Sequence, residues 1–271
     1  MKHSLLALFA LFSSVVSAEQ QELDERLKIN LGMFWIWQTD TIVAAAKEGL
    51  VGSKIHLQDD LNLDTENKNF KIDGYYRFTN YHRIEFAYLS LRSDGSNELT
   101  RDITWDGQEY KIGAFVDSYS DIDIYKINYA YSFYHNQDVE LSVSLGVHAM
   151  DFDVGLSTGV KVEDGSDNGI KRTGSSVDLI APLPVIGFRL DYQLAEDWKV
   201  IGSVDYFSLK IDDYSGYFLD FIISAEYSIT DSFSTGVGFT STSLNFSVDK
   251  DDDFAMRQDM SGGLFYVSYI Y

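Results

Sequence analysis

The side chains able to do chemistry in this chain are carboxylates, scattered bases and a strand-borne histidine, and they recur at alternate positions. Lys71, Asp73 and Arg77 share one parity and are interleaved with Phe70, Ile72, Gly74, Tyr76 and Phe78. Glu85, Lys126, His148, Arg189, Asp191, Asp205 and Glu226 hold equivalent polar places in other segments. Inside a closed sheet, such charges either line an aqueous path and set its ion selectivity or pair across the interior and block it. A histidine acting as base needs a hydroxyl within hydrogen-bond reach. The residue two beyond His148, on the same strand face, is Met150 rather than a serine. His148 therefore reads as an interior packing residue, and no catalytic set is assigned.

The acidic residues are numerous enough to imitate sites. Asp121 with Asp123, and Asp151 with Asp153, are i,i+2 pairs that share a strand face and could polarise water or hold a cation. With 42 acidic residues in the chain, such pairs arise readily by chance. Glu163-Asp164-Gly165-Ser166-Asp167-Asn168-Gly169 begins like a calcium loop, but Ser175 stands where a bidentate carboxylate is required. Asp249, Asp251, Asp252 and Asp253 form a comparable cluster. Both read as solvated loops, and no metal site or cofactor is expected.

Elements that could position the charged set follow from period-2 alternation. Segments 70–78, 125–133, 139–148 and 186–194 each carry one apolar and one polar face, and Phe265, Val267, Tyr269 and Tyr271 share a face at the end. These runs approach the 9–11 residues of a tilted membrane strand, against about five or six in a sandwich. Their polar faces carry Gly, Ser and paired charges, which suits an interior better than a solvent face. An open sheet edge in hydrocarbon would leave backbone groups unpaired, so a lipid-exposed sheet must close. The 18 Tyr, 18 Phe and 4 Trp fit interfacial girdles. The fold expected is an all-β, transmembrane antiparallel β-barrel.

Residues 1–18 read as a secretory signal: Lys2 and His3, the apolar run Leu5–Phe12, and the small-x-small site Val16-Ser17-Ala18. Residues 19–26 then form a short N-terminal segment and 27–271 the barrel. Losing Lys2 moves the formal charge from −21 to −22, which excludes a nucleic-acid footprint. The chain has no cysteine, so disulfides and thiolate sites are excluded. Both prolines lie in Ala181-Pro182-Leu183-Pro184, so no proline-rich linker divides the chain.

Four short connections, at 79–82, 134–138, 195–198 and 230–232, share a shape and belong on one side of the membrane. An even count between them gives strands at 27–45, 55–79, 82–94, 97–105, 108–118, 121–134, 138–158, 174–195, 198–211, 215–229, 232–248 and 254–271. Asp106-Gly107 supplies the hairpin turn in the middle. Twelve strands result, or ten if 97–118 folds as a hairpin above the membrane. Small barrels fill their interiors with side chains, which favours a narrow or closed lumen.

On the signal at 1–18, the alternating strands from 27 onward and the terminal Leu264-Phe265-Tyr266-Val267-Ser268-Tyr269-Ile270-Tyr271, the chain resembles Gram-negative outer-membrane β-barrel proteins. The last strand resembles the C-terminal insertion signal of that class, which more often ends in Phe. Ala181-Pro182-Leu183-Pro184-Val185-Ile186-Gly187 also looks like a recurrent barrel family without an assigned activity. The resemblance implies an outer-membrane location amid lipid and lipopolysaccharide. It also implies recognition of the last strand by barrel-insertion machinery and, for an open lumen, small solutes as cargo. Weak divalent bridging to lipopolysaccharide is the sharper reading of the acidic loops. The His-x-Ser of outer-membrane phospholipases and the His-x-Ser-Asn of lipid A deacylases are absent. Omptin proteases use acidic pairs with a histidine, and Asp151 and Asp153 lie near His148 in sequence. The expected function is a non-enzymatic integral barrel, structural or a narrow porin-like pore. The alternatives are a membrane-embedded lipid hydrolase and a surface adhesin acting through its acidic external loops.

Overall fold

The computed structural model describes residues 25–47, 52–64, 68–161, 170–248 and 254–271. The signal, most of the 19–26 segment and both acidic loops at 163–169 and 249–253 lie outside the described residues. In chain order the elements are β1 (Leu27–Ala45), β2 (Ile55–His56), α1 (Leu57–Leu61), β3 (Lys68–Thr79) and β4 (His82–Glu98). There follow β5 (Ile103–Trp105), β6 (Gln108–Tyr110), β7 (Phe115–His135), β8 (Val139–Lys161) and β9 (Ile170–Ala195). The chain ends with β10 (Trp198–Ile211), β11 (Tyr214–Thr230), β12 (Phe233–Val248) and β13 (Phe254–Ile270). Each long strand pairs antiparallel with the next, and β13 returns to pair with β1, from Lys28↔Ile270 to Ala45↔Phe254. Closure leaves no edge at membrane depth on that seam.

The barrel has ten strands, not twelve. Asp106-Gly107 does form a hairpin, with positive φ at both residues (47° and 75°), as a tight primed turn requires. Its strands β5 and β6 are three residues each, however, and pair only with one another. The sequence at 97–105, 108–118 and 121–134 therefore resolves into the end of β4, a small hairpin and the single long strand β7. Segment 55–79 likewise divides into β2, α1 and β3. The four short turns fall at one end of the barrel, as the parity argument requires, and the opposite end carries the two-residue Asp212-Asp213 turn between β10 and β11 and the α1 and β5–β6 insertions.

Strand length explains the miscount. Along β8, Val143, Leu145 and Val147 point outward, with Leu145 64% exposed, while Ser142, Ser144 and His148 point in. Beyond Ala149 the two faces exchange character. Met150, Phe152, Val154 and Leu156 are buried inside, and Asp151 and Asp153 take the outer face. The same exchange occurs on β7, where Tyr125, Ile127 and Tyr129 lie outside below and Asp117, Asp121 and Asp123 above. On β4 it falls between Tyr88 and Leu91, and on β13 Phe265 and Val267 give way to Asp259 and Arg257. The pleat never changes; the medium outside does. Toward the turn end the wall meets hydrocarbon, and toward the loop end it meets water. A polar run such as 117–123 thus imitates a turn while being strand.

This exchange makes two substitutions on one face of β8 differ. Leu145→Lys puts an ammonium group in the lipid-facing band and should cost about 2–4 kcal/mol. Asp153→Lys, on the same face but above the band, should cost less than about 0.5 kcal/mol. Urea unfolding of protein inserted into vesicles reads both, and equal losses would contradict the exchange.

Candidate functional site

The lower interior is a layered charge network built from one parity of each strand. At the mouth, Glu25 accepts hydrogen bonds from Lys199 Nζ (2.8 Å) and from the Tyr75 hydroxyl (2.8 Å). Arg77 forks onto both Glu140 oxygens at 2.9 Å, and Ser132 donates to the same carboxylate. Arg83 is fully buried over the Tyr75 ring. It contacts Glu85 (2.8 Å), Glu140 (3.0 Å) and Asp191 (3.7 Å) and donates to Ser142 Oγ. Arg189 pairs with Asp191 at 2.9 Å, and Lys28 with Glu226 at 2.7 Å. Higher up, Lys71 meets Asp73 at 2.9 Å, with Asn30 donating to Asp73, and Lys126 meets Asp220 at 2.5 Å, with Thr242 donating to Asp220.

The charged positions expected to line the lumen face this interior, whereas the acidic pairs Asp121/Asp123 and Asp151/Asp153 lie on the outer face. Lys71, Asp73, Arg77, Glu85, Lys126, Arg189, Asp191 and Glu226 are held in the ion pairs just described. Asp205 differs: its carboxylate lies 3.6 Å from His148 Nε2, an ion pair only when the imidazole is protonated. His148 stacks edge-on against Phe218, and neither ring nitrogen has a hydrogen-bond partner. No hydroxyl hydrogen-bonds to it among the described residues. Asp151 and Asp153 cannot join it, because they lie an odd number of residues away and face the opposite side of the wall. Gly187 leaves room for Asp205, since a Cβ there would sit 2.4 Å from its carboxylate.

Glu25, Lys28, Arg83, Glu140, Lys199 and Asp220 belong to the same network but were not among the sequence candidates. The signal was available: Arg83 precedes Glu85 by two residues, and Glu140 shares parity with His148. A cavity of about 90 Å³ remains among these groups, lined by Lys28, Lys71, Asp73, Asn128, Arg189 and Asp205. Its volume is large enough for a few waters.

Above the charges apolar side chains occupy the lumen, leaving a cavity of about 30 Å³ where they meet Lys71, Lys126 and Asp220. Phe34, Ile124, Met150, Phe152, Phe218 and Leu264 form a continuous apolar core. From the loop end, Leu57 and Leu61 of α1 and Ile103, Trp105 and Tyr110 of the hairpin press into it. Tyr110 Oη donates to the Leu156 carbonyl, and the Ser175 hydroxyl donates to the Trp105 carbonyl, tying the hairpin to β8 and β9. Ser175, weighed above as a missing calcium ligand, serves this contact. Among the described residues no group of three or more His, Asp or Glu side chains is arranged to hold a metal ion.

No family model matches the chain, and no curated protein resembles it in sequence. Among solved structures, the outer membrane protease OmpT from Escherichia coli aligns with a TM-score of 0.60 at 11% identity, over 93% of this chain and 98% of that one. The translocator domain of autotransporter NalP from Neisseria meningitidis aligns at 0.44, with 10% identity over 98% and 96% of the two chains. OprG from Pseudomonas aeruginosa aligns at 0.39, with 12% identity over 93% and 98%. The likeness to OmpT extends to the fold: this chain has the architecture of an outer-membrane β-barrel.

The network makes two outcomes measurable. Arg83→Met strips Glu140, Glu85 and Asp191 of a shared cation and should cost about 3–5 kcal/mol in urea unfolding. Adding Glu140→Gln should restore part of that loss. Burial pushes the Glu25 carboxyl up, but Lys199 and Lys28 outweigh it and bring its pKa from 4.5 down to about 2. The contribution of this contact is therefore complete above pH 4.5 and fades as the pH falls toward 2. Glu25→Gln should flatten the pH dependence of stability within that window alone.

Proposed function

We propose that this protein is a closed, non-conducting barrel of the outer membrane, which acts through its water-exposed outer half as a structural or binding element. The observation that carries this reading is the apolar plug. Buried side chains from the strands, α1 and the β5–β6 hairpin fill the upper lumen. A hydrated ion would have to displace that packing, and the charges beneath it are already paired with one another. Exported as the leader at 1–18 implies, the barrel would present this half outside the cell. The lipid hydrolase alternative draws no support from His148, whose ring nitrogens meet no hydroxyl.

Planar bilayer recordings test the proposal. Purified protein should insert without stepwise currents and without releasing fatty acid from the lipid. Reproducible conductance steps would return the chain to the pore reading, and ester hydrolysis lost in His148→Ala would make it an enzyme.

A further inference from the structure

The barrel wall contains a break that the sequence encodes. Gln193 N–H donates to the Asp138 carbonyl at 2.6 Å. The β8–β9 register then runs without a shift from Val139↔Tyr192 to Lys161↔Ile170. Odd-numbered residues of β9 therefore turn their backbone groups toward β8, and even-numbered ones toward β10. Pairing with β10 uses those even positions at Tyr192, Leu190, Phe188 and Ile186, and ends at Ile186↔Tyr206. The next two even positions are Pro184 and Pro182. Neither has an N–H to continue the ladder, so it stops there.

Above the prolines β9 continues, paired on one side only. Gly174, Ser176, Asp178 and Ile180 direct their N–H and C=O groups at an edge with no strand beside it among the described residues. Across the gap, β10 turns back at the exposed Asp212 and Asp213. The prolines that protect the lower edge have no counterpart over 174–180, where the sequence is Gly-Ser-Ser-Val-Asp-Leu-Ile.

The charge beside this edge selects its occupant. Asp121 lies directly opposite Asp153, and Asp153 directly opposite Asp178, so three carboxylates form a row across β7, β8 and β9. Like charges placed opposite one another are destabilising. The row ends at the free edge, and its next place belongs to whatever strand is added there. A cationic side chain in that place would face Asp178.

We propose that the free edge of β9 over residues 174–180 is a strand-addition site for an extended cationic peptide segment. Backbone hydrogen bonds to the even positions supply affinity, and a Lys or Arg opposite Asp178 supplies selectivity. This site is independent of whether the lumen conducts.

Hydrogen exchange and peptide binding on the detergent-solubilised full barrel test it. The probes are a twelve-residue peptide alternating Lys and Val, its Glu-for-Lys counterpart, and the Lys peptide N-methylated at alternate backbone positions. The amides of Ser176, Asp178 and Ile180 should exchange freely without peptide and gain protection of about tenfold or more with the Lys peptide alone. Ser176→Pro with Ile180→Pro removes donors that do not serve β8. The variant should stay heat-modifiable on gels and bind about tenfold more weakly. Asp178→Asn should weaken binding and reduce its salt dependence. Four results would overturn the site: amides already protected in the free protein, equal binding of the Glu or N-methylated peptide, unchanged affinity in the folded proline variant, or protection that rises with protein concentration alone. The last would indicate pairing between copies of the chain.

Discussion

A β-strand sends its side chains to opposite faces at every step, and no sequence can alter that. Each barrel strand here leaves one medium and enters another while keeping its pleat. Where hydrocarbon lies outside, apolar residues must face out and the interior takes the polar ones. Where water lies outside, the assignment reverses. Both regimes occur on single strands such as β7 and β8, and the exchange between them fixes much of the rest. It makes the lower interior a place for charges, the upper interior an ordinary apolar core, and the outer surface above the band a field of Asp and Ser.

The charges of the lower interior survive because they are shared. Arg83 alone touches three carboxylates, and Glu140 receives two guanidinium groups and a hydroxyl. In so confined a space a single unpaired ion would cost several kcal/mol, so the network is held together by the penalty for losing any member as much as by attraction. Asp205 and His148 stand apart, forming no ion pair with Lys or Arg among the described residues, and Asp205 lines the small polar cavity. The apolar core lies above these groups toward the loop end, and the hairpin and α1 pack into it.

The same economy of backbone pairing governs the wall. Closure between β1 and β13 satisfies the seam along its length, yet the β9–β10 ladder is cut short by two prolines at the positions that would have continued it. Pro182 and Pro184 thus act as punctuation inside a strand, in place of a linker between domains. They let β9 rise past its neighbour and leave, among the described residues, an edge without a partner strand that carries Asp178.

The sequence by itself determined the class, the face parity of segments such as 70–78 and 139–148, the four short turns and the shared parity of Lys71 and Arg77. All of these follow from a period of two, which is a local property. It also contained Arg83 and Glu140 on the same parity, though nothing local marks them as partners across the barrel. Tertiary structure decided the number of strands, because 117–123 reads as a turn until one knows that water, not lipid, lies outside it. It also decided that an apolar core lies in the upper lumen, since Trp105 and Leu61 enter it from loops distant in sequence. Pairing of charges, the filling of space and the freedom of an edge depend on which strands become neighbours, and only the closed barrel settles that.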